Sequence, residues 1–196
     1  MRNWIGIAVL LAGAVTASAQ VAEIGAFGGA YRLRGNDIGQ VSFDGASVWN
    51  VSLDNGWLLG FRLTLNTYRF FGHEFGYSYN RTKMKFGGAE GEGTAIHRGF
   101  YNFLVYGLPE GSVVRPFAAG GVHFNNYAWP GLSATSGGGS TKFGFNYGAG
   151  IKVRVSPMFG IRFDVHDYWN GKPFDFPNQS GMIRQLEVSA GFSLLL

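Results

Sequence analysis

The 196-residue chain contains no cysteine. No disulfide can support its fold, and the cysteine that lipoprotein processing modifies is missing. Charged residues make up only 14%, and the sixteen Lys and Arg are scattered among twelve Asp and Glu. A basic stripe for nucleic acid is therefore absent. Beyond the N-terminus no apolar run is long enough for a membrane helix, and mean hydropathy is only +0.03. What the chain has instead is glycine, at 32 residues, and aromatic side chains, at 16%.

These residues are arranged with period two. From Phe143 the residues Phe143, Phe145, Tyr147, Ala149, Ile151, Val153 and Val155 alternate with Gly144, Asn146, Gly148, Gly150, Lys152 and Arg154. After Ser156-Pro157-Met158 the pattern resumes, with Phe159, Ile161, Phe163 and Val165 opposite Gly160, Arg162, Asp164 and His166. Strict alternation predicts a β-hairpin. Each strand is apolar on one face over about ten residues, the length a tilted strand needs to cross a bilayer. The other face carries glycine and charge, as in a transmembrane barrel that is apolar outside and polar inside. A soluble sandwich with its apolar face inward accounts for this hairpin equally well, so the rest of the chain decides.

The strands bear on that choice first. Segments near 22–34, 57–66, 73–86, 95–106, 115–127, 142–155, 159–169 and 183–196 read as eight strands. In 95–106 the phase that faces Tyr101, Phe103 and Val105 outward is preferred, because the alternative exposes Arg98 and Asn102; the phase of the first strand is open. The links at 35–56, 87–94, 128–141 and 170–182 are long and polar, whereas 67–72, 108–114 and 156–158 are short. Long loops on one side, short turns and both termini on the other, is the up-and-down outer-membrane plan. Aromatics gather at strand ends: Trp57, Tyr127, Trp129, Tyr168 and Trp169 toward the loops, and Tyr68, Phe70, Phe71, Tyr106 and Phe159 toward the turns. They are expected to form two interfacial girdles. The expected architecture is an all-β, eight-stranded antiparallel transmembrane barrel.

The N-terminus has Arg2, an apolar run from Trp4 to Val15 and Ala17-Ser18-Ala19. This is the pattern of a secretory signal peptide over 1–19, with the barrel domain over 20–196.

Over 20–196 the chain resembles the small eight-stranded outer-membrane barrels of the OmpA/OmpX type. RPFAAGGV at 115–122, KFGFNYGAGIKVRV at 142–155 and RFDVHDY at 162–168 are similar to the late-strand pattern of the bacterial outer membrane protein beta-barrel domain families. The resemblance implies residence in the bacterial outer membrane with extracellular loops, in contact with membrane lipid and lipopolysaccharide, after export through the periplasm. It also implies a C-terminal signal read by the assembly machinery, here carried by Ser189, Gly191, Leu194 and Leu196. The chain ends in Leu where such proteins usually end in an aromatic residue.

An eight-stranded barrel is just wide enough for its own side chains. The inward positions Arg62, Glu74, Arg115, Lys152, Arg154, Arg162, Asp164 and Glu187 are expected to fill the lumen as an ion-pair network, since an unpaired charge there is costly. The rival reading is a narrow pore lined by the same residues. His73, His97, His123 and His166 raise the alternative of a lipid A-modifying enzyme. His166 has Asp164 on its own face, but no serine stands at a neighbouring position in the chain, so the nucleophile-base pair is not visible. GGAEGEG at 87–93 lacks the Lys-Ser/Thr pair of a phosphate loop, and the acidic residues lack calcium-loop spacing. No metal or cofactor is expected, and the reading is a non-catalytic structural or surface-contact protein.

Overall fold

A computed structural model describes residues 21–42, 45–131 and 139–196. The segment read as a signal peptide lies outside the described residues. Ten strands follow one another: β1 (Val21–Arg34), β2 (Asp37–Val41), β3 (Trp49–Leu53), β4 (Gly56–Tyr68) and β5 (Phe71–Phe86), then β6 (Ala89–Tyr106), β7 (Val114–Tyr127), β8 (Ser140–Arg154), β9 (Phe159–Gly171) and β10 (Met182–Leu195). Eight of them, β1 and β4 to β10, form a closed antiparallel ring in which β10 returns to β1. The seam runs from Glu23↔Leu195 to Arg34↔Arg184, and the Leu196 N–H closes it by donating to the Ala22 carbonyl at 2.8 Å. Closure leaves no strand edge, which hydrocarbon would not tolerate because it offers no partner to a backbone amide.

Side-chain phase follows the alternation. On β4, Trp57, Leu59, Phe61 and Leu63 are exposed while Leu58, Arg62, Thr64 and Asn66 are buried. On β6, Arg98 and Asn102 point inward and Phe103 and Val105 outward. β1, whose phase the sequence left open, turns Glu23, Phe27, Tyr31 and Leu33 inward. Two histidines that face outward find tyrosine partners, since lipid cannot satisfy them. His73 Nδ1 lies 2.8 Å from the Tyr101 hydroxyl, and Tyr77 is bonded to His97.

The loop end differs from expectation in two places. Residues 87–94, expected to be a glycine loop, are mostly strand: β5 and β6 continue to Phe86 and Ala89 and are joined by Gly87 and Gly88, with φ of 58° and 86°. Two consecutive residues at positive φ match the twist of a hairpin, and only glycine adopts that geometry without strain. The 35–56 link folds into the β2–β3 hairpin. β3 pairs with β5 from Val51↔Phe86 to Leu53↔Met84, above the point where β4 begins at Trp57↔Arg81. Lys85 on this extension reaches Asp54 at 2.8 Å, and that hydrogen bond holds the Asp54 carboxyl below the ordinary carboxylate range.

This hairpin covers an apolar layer inside the barrel. Ile38, Val51, Leu53, Leu58, Met84, Ile96 and Ile183 are buried together there, with Phe174 and Phe176 packed against them. A lumen lined throughout by polar groups is thus corrected at the loop end. The inward positions of the upper strands carry Leu33, Leu58, Met84 and Ile96, and they pack because the hairpin supplies an apolar underside.

The aromatic girdles also need correction. Trp57, Tyr68, Phe70, Phe71, Trp129 and Phe159 are exposed, and Trp169 is half-buried with its ring stacked on Phe145. Tyr106, Tyr127 and Tyr168 are instead buried in the lumen. Each falls on the inward parity of its strand, where its hydroxyl or ring meets the polar network.

Candidate functional site in the barrel lumen

Inward parity brings charges from all eight strands of the ring to a common axis, and they arrange themselves in three tiers. At the turn end, Lys152 of β8 donates to both oxygens of Glu23 of β1 at 2.9 Å and to the Tyr106 hydroxyl at 2.8 Å. Asn66 donates to the same carboxylate at 2.8 Å. Below them Arg115 stacks on the Tyr106 ring, 3.6 Å from its centroid, and bonds Glu110 at 2.5 Å. Its remaining N–H groups donate to the Arg69 and Leu108 carbonyls, so the guanidinium ties together two short turns.

The middle tier is an alternating chain of four charges. Arg62 donates to Asp164 at 3.0 Å, Arg162 donates to Asp164 at 2.7 Å through Nε, and Arg162 also bonds Glu74. Thr64 and Asn102 complete the Glu74 shell at 3.2 and 3.1 Å. Arg62 covers the Phe27 ring and Arg162 the Phe117 ring, at 4.5 and 4.3 Å from the centroids. Charge alternation with planar guanidinium stacking suits arginine, which is less strongly hydrated than lysine and keeps its charge when buried.

In the upper tier, Arg98 is fully buried. It donates to Glu187 at 2.8 Å and to Asn125 at 2.9 Å, and lies 3.7 Å over the Tyr168 ring. Asn125 and Asn170 carry the network on to the Tyr127 hydroxyl, directly beneath the apolar layer. Tyr127 and Tyr168 therefore belong to the lumen network, and Arg98 and Glu23 join it although sequence reasoning did not name them as members. The signal for Arg98 was present in its inward parity; for Glu23 it was lost with the phase of β1.

Arg154 is the converse case. It was expected in the lumen, but it is exposed at the last residue of β8 and donates to the Gly111 carbonyl at 2.5 Å. Alternation puts it on the inward parity; the strand ends there, so it hangs outside the mouth. Arg62, Glu74, Arg115, Lys152, Arg162, Asp164 and Glu187 are all buried.

Every buried arginine or lysine has a carboxylate partner: Glu23 for Lys152, Glu74 and Asp164 for Arg62 and Arg162, Glu187 for Arg98, and Glu110 for Arg115. One nitrogen of Arg62 and one of Arg98 lack a protein acceptor. Little free space lies beside the lower two tiers. A cavity of ≈ 30 Å³ lies at the turn mouth beside Glu110, Arg115 and Lys152. That is room for one or two waters, and around Arg62, Thr64 and Arg162 the free volume is ≈ 0 Å³.

The histidines do not assemble a nucleophilic site. His166 Nε2 is 3.7 Å from Asp164, and its ring stacks on Tyr168 at 5.7 Å. Ser189 stands opposite Asp164 on β10, a neighbour that linear sequence did not reveal. No hydrogen bond joins its hydroxyl to the imidazole among the described residues. His73 and His97 belong to the outer wall and His123 packs edge-on against Tyr168. At the C-terminus Ser189 is inward, and Gly191 sits where a Cβ would lie 2.8 Å from Phe27; Leu194 is half-buried on the opposite face and Leu196 is exposed. No group of His, Asp and Glu among the described residues is arranged to hold a metal ion.

Known proteins of the same shape share little sequence. The chain matches the structure of Neisserial surface protein A (NspA) with a TM-score of 0.61 at 16% identity, covering 88% of this chain and 96% of that one. The outer membrane protein OprG from Pseudomonas aeruginosa gives 0.61 at 15% identity over 91% and 96%. The N-terminal β-barrel domain of Pseudomonas aeruginosa OprF gives 0.54 at 14% over 90% and 97%. None of the curated proteins matches the chain in sequence. The model of the outer membrane protein beta-barrel domain matches residues 7–194. With its closed ring of eight strands, apolar outer wall and charged interior, the chain belongs to the outer membrane protein beta-barrel domain family and is a β-barrel protein of the bacterial outer membrane.

Proposed function

We propose that the protein is a non-catalytic outer-membrane barrel, sealed along its axis, that contributes to envelope integrity and to surface contact through its longer loops. The observation that carries this reading is the filled lumen: paired charges in three tiers below an apolar layer and a covering hairpin. A barrel packed in this way is a scaffold, and scaffolded loops are where recognition resides. Membrane lipid and lipopolysaccharide surround the wall, and Ser189, Gly191, Leu194 and Leu196 form the stretch that the assembly machinery engages. No cofactor takes part.

Two rivals are separated by experiment. In a deletion strain, sensitivity to detergent and to large antibiotics should rise and return to normal on complementation, while mass spectra of lipid A keep the same acyl pattern. An altered acyl pattern would overturn the non-catalytic reading in favour of a lipid A-modifying enzyme. Unaltered sensitivity would remove the role in envelope integrity. The narrow-channel rival is addressed by conductance.

A further inference from the structure

The outer wall carries a cationic strip that the sealed lumen does not use. Arg32 and Arg34 occupy the outward parity of β1 and are exposed; Arg184 occupies the outward parity of β10. Arg34 and Arg184 are register partners on adjacent strands, directly opposite one another. Like charges in that position repel. Arg184 is balanced by Asp167 of β9, donating to its two oxygens at 2.9 and 2.7 Å, and Tyr147 donates to the same carboxylate at 3.1 Å. Arg32 and Arg34 have no hydrogen bond or ion pair among the described residues. The strip thus keeps an excess of two positive charges on the outside of a membrane protein.

Its height in the wall says what could answer that charge. Below Arg184 the outward residues of β10 are Leu186, Val188, Ala190, Phe192 and Leu194, a continuous apolar band. Trp169 is the register partner of Arg184, and Trp57 is the partner of Ala30, two residues below Arg32. The guanidinium of Arg184 lies 4.9 Å over the Trp169 ring. Indoles mark the membrane interface, so the arginines stand at the headgroup level on the loop side, the extracellular side in barrels of this plan. The strip runs across β4, β1, β10 and β9, with an indole at each flank and unpaired guanidinium groups between.

We propose that this strip binds a phosphorylated glycolipid of the outer leaflet. Arg32 and Arg34 take its phosphate monoester, to which a guanidinium fork is matched. Trp57, which is exposed, offers a flat face to the sugar, and the acyl chains lie along the apolar band below. The inference rests on the barrel's residence in the outer membrane and is independent of whether the lumen conducts.

The test uses the mature chain refolded into phosphatidylcholine nanodiscs doped with bisphosphorylated lipid A, with the same lipid A dephosphorylated, or with phosphatidylglycerol. Lipid retained by the protein is counted by native mass spectrometry. The wild type should retain the bisphosphorylated form roughly thirtyfold over the dephosphorylated one, about fivefold for each of two surface cations. The R32Q/R34Q variant should bring the two forms close to parity, and R69Q/R154Q, which removes two cations at the opposite end, should leave the preference intact. Equal retention of the two lipid A forms by the wild type would overturn the proposal without reference to any variant. So would equal retention of phosphatidylglycerol, or an equal loss in R69Q/R154Q. A barrel that conducts yet selects phosphate refutes the sealed lumen alone, and a silent barrel that does not select refutes this site alone.

Discussion

Glu74 shows how a single lumen side chain is held in place. Its carboxylate is 1% exposed and accepts from Arg162, Thr64 and Asn102, each on a different strand. Replacing it by leucine leaves two buried arginines to share Asp164, so Glu74→Leu should destabilise the barrel by about 3–5 kcal/mol in reversible urea unfolding in lipid. Arg154→Ala, outside the mouth, should change stability by less than about 0.5 kcal/mol in the same titration. On the other face, Ile151→Arg puts a charge into mid-membrane and should cost about 2–4 kcal/mol. If Ile151→Arg unfolded at the wild-type midpoint, the outward phase of β8 would be wrong. Period-two alternation was enough to separate Ile151 from Lys152. It could not separate Lys152 from Arg154, because both share a parity and only the end of the strand distinguishes them. Partners were equally hidden: Glu23 and Lys152 are 129 residues apart in sequence and meet only when the ring closes.

At the scale of elements, the β2–β3 hairpin converts a long polar link into a lid. Val51 is fully buried between the hairpin and the apolar layer. Val51→Asp should lift the hairpin, so that trypsin cuts faster at Lys83 and Lys85 while the heat-dependent gel mobility of the folded barrel persists. Unchanged cleavage would mean that the hairpin is not held by its apolar underside. The eight spanning strands were legible because one face of each is apolar and the bilayer demands about ten residues of it. The loop-end elements were not. β2 and β3 are five residues each, too short for alternation to stand out, and the glycines at 87 and 88 look the same in sequence whether they end a strand or turn a hairpin. Tyr127 and Tyr168 were misplaced for a related reason: an aromatic at a strand end suits an interface or a lumen equally, and parity rather than position decides.

For the whole molecule, two independent barriers lie in series along the axis. The tiers of ion pairs occupy the middle and the turn end, and the apolar layer with its hairpin closes the loop end. An ion crossing the first would have to replace guanidinium-carboxylate bonds with its own, and the second offers it nothing. The most direct measurement is therefore the conductance of the mature chain, refolded in detergent, shown to be folded by its heat-dependent mobility and inserted into a planar bilayer. A folded barrel with no unitary current steps is the result predicted here. Reproducible unitary steps would contradict the sealed lumen and establish the ion-pair tiers as the lining of a pore.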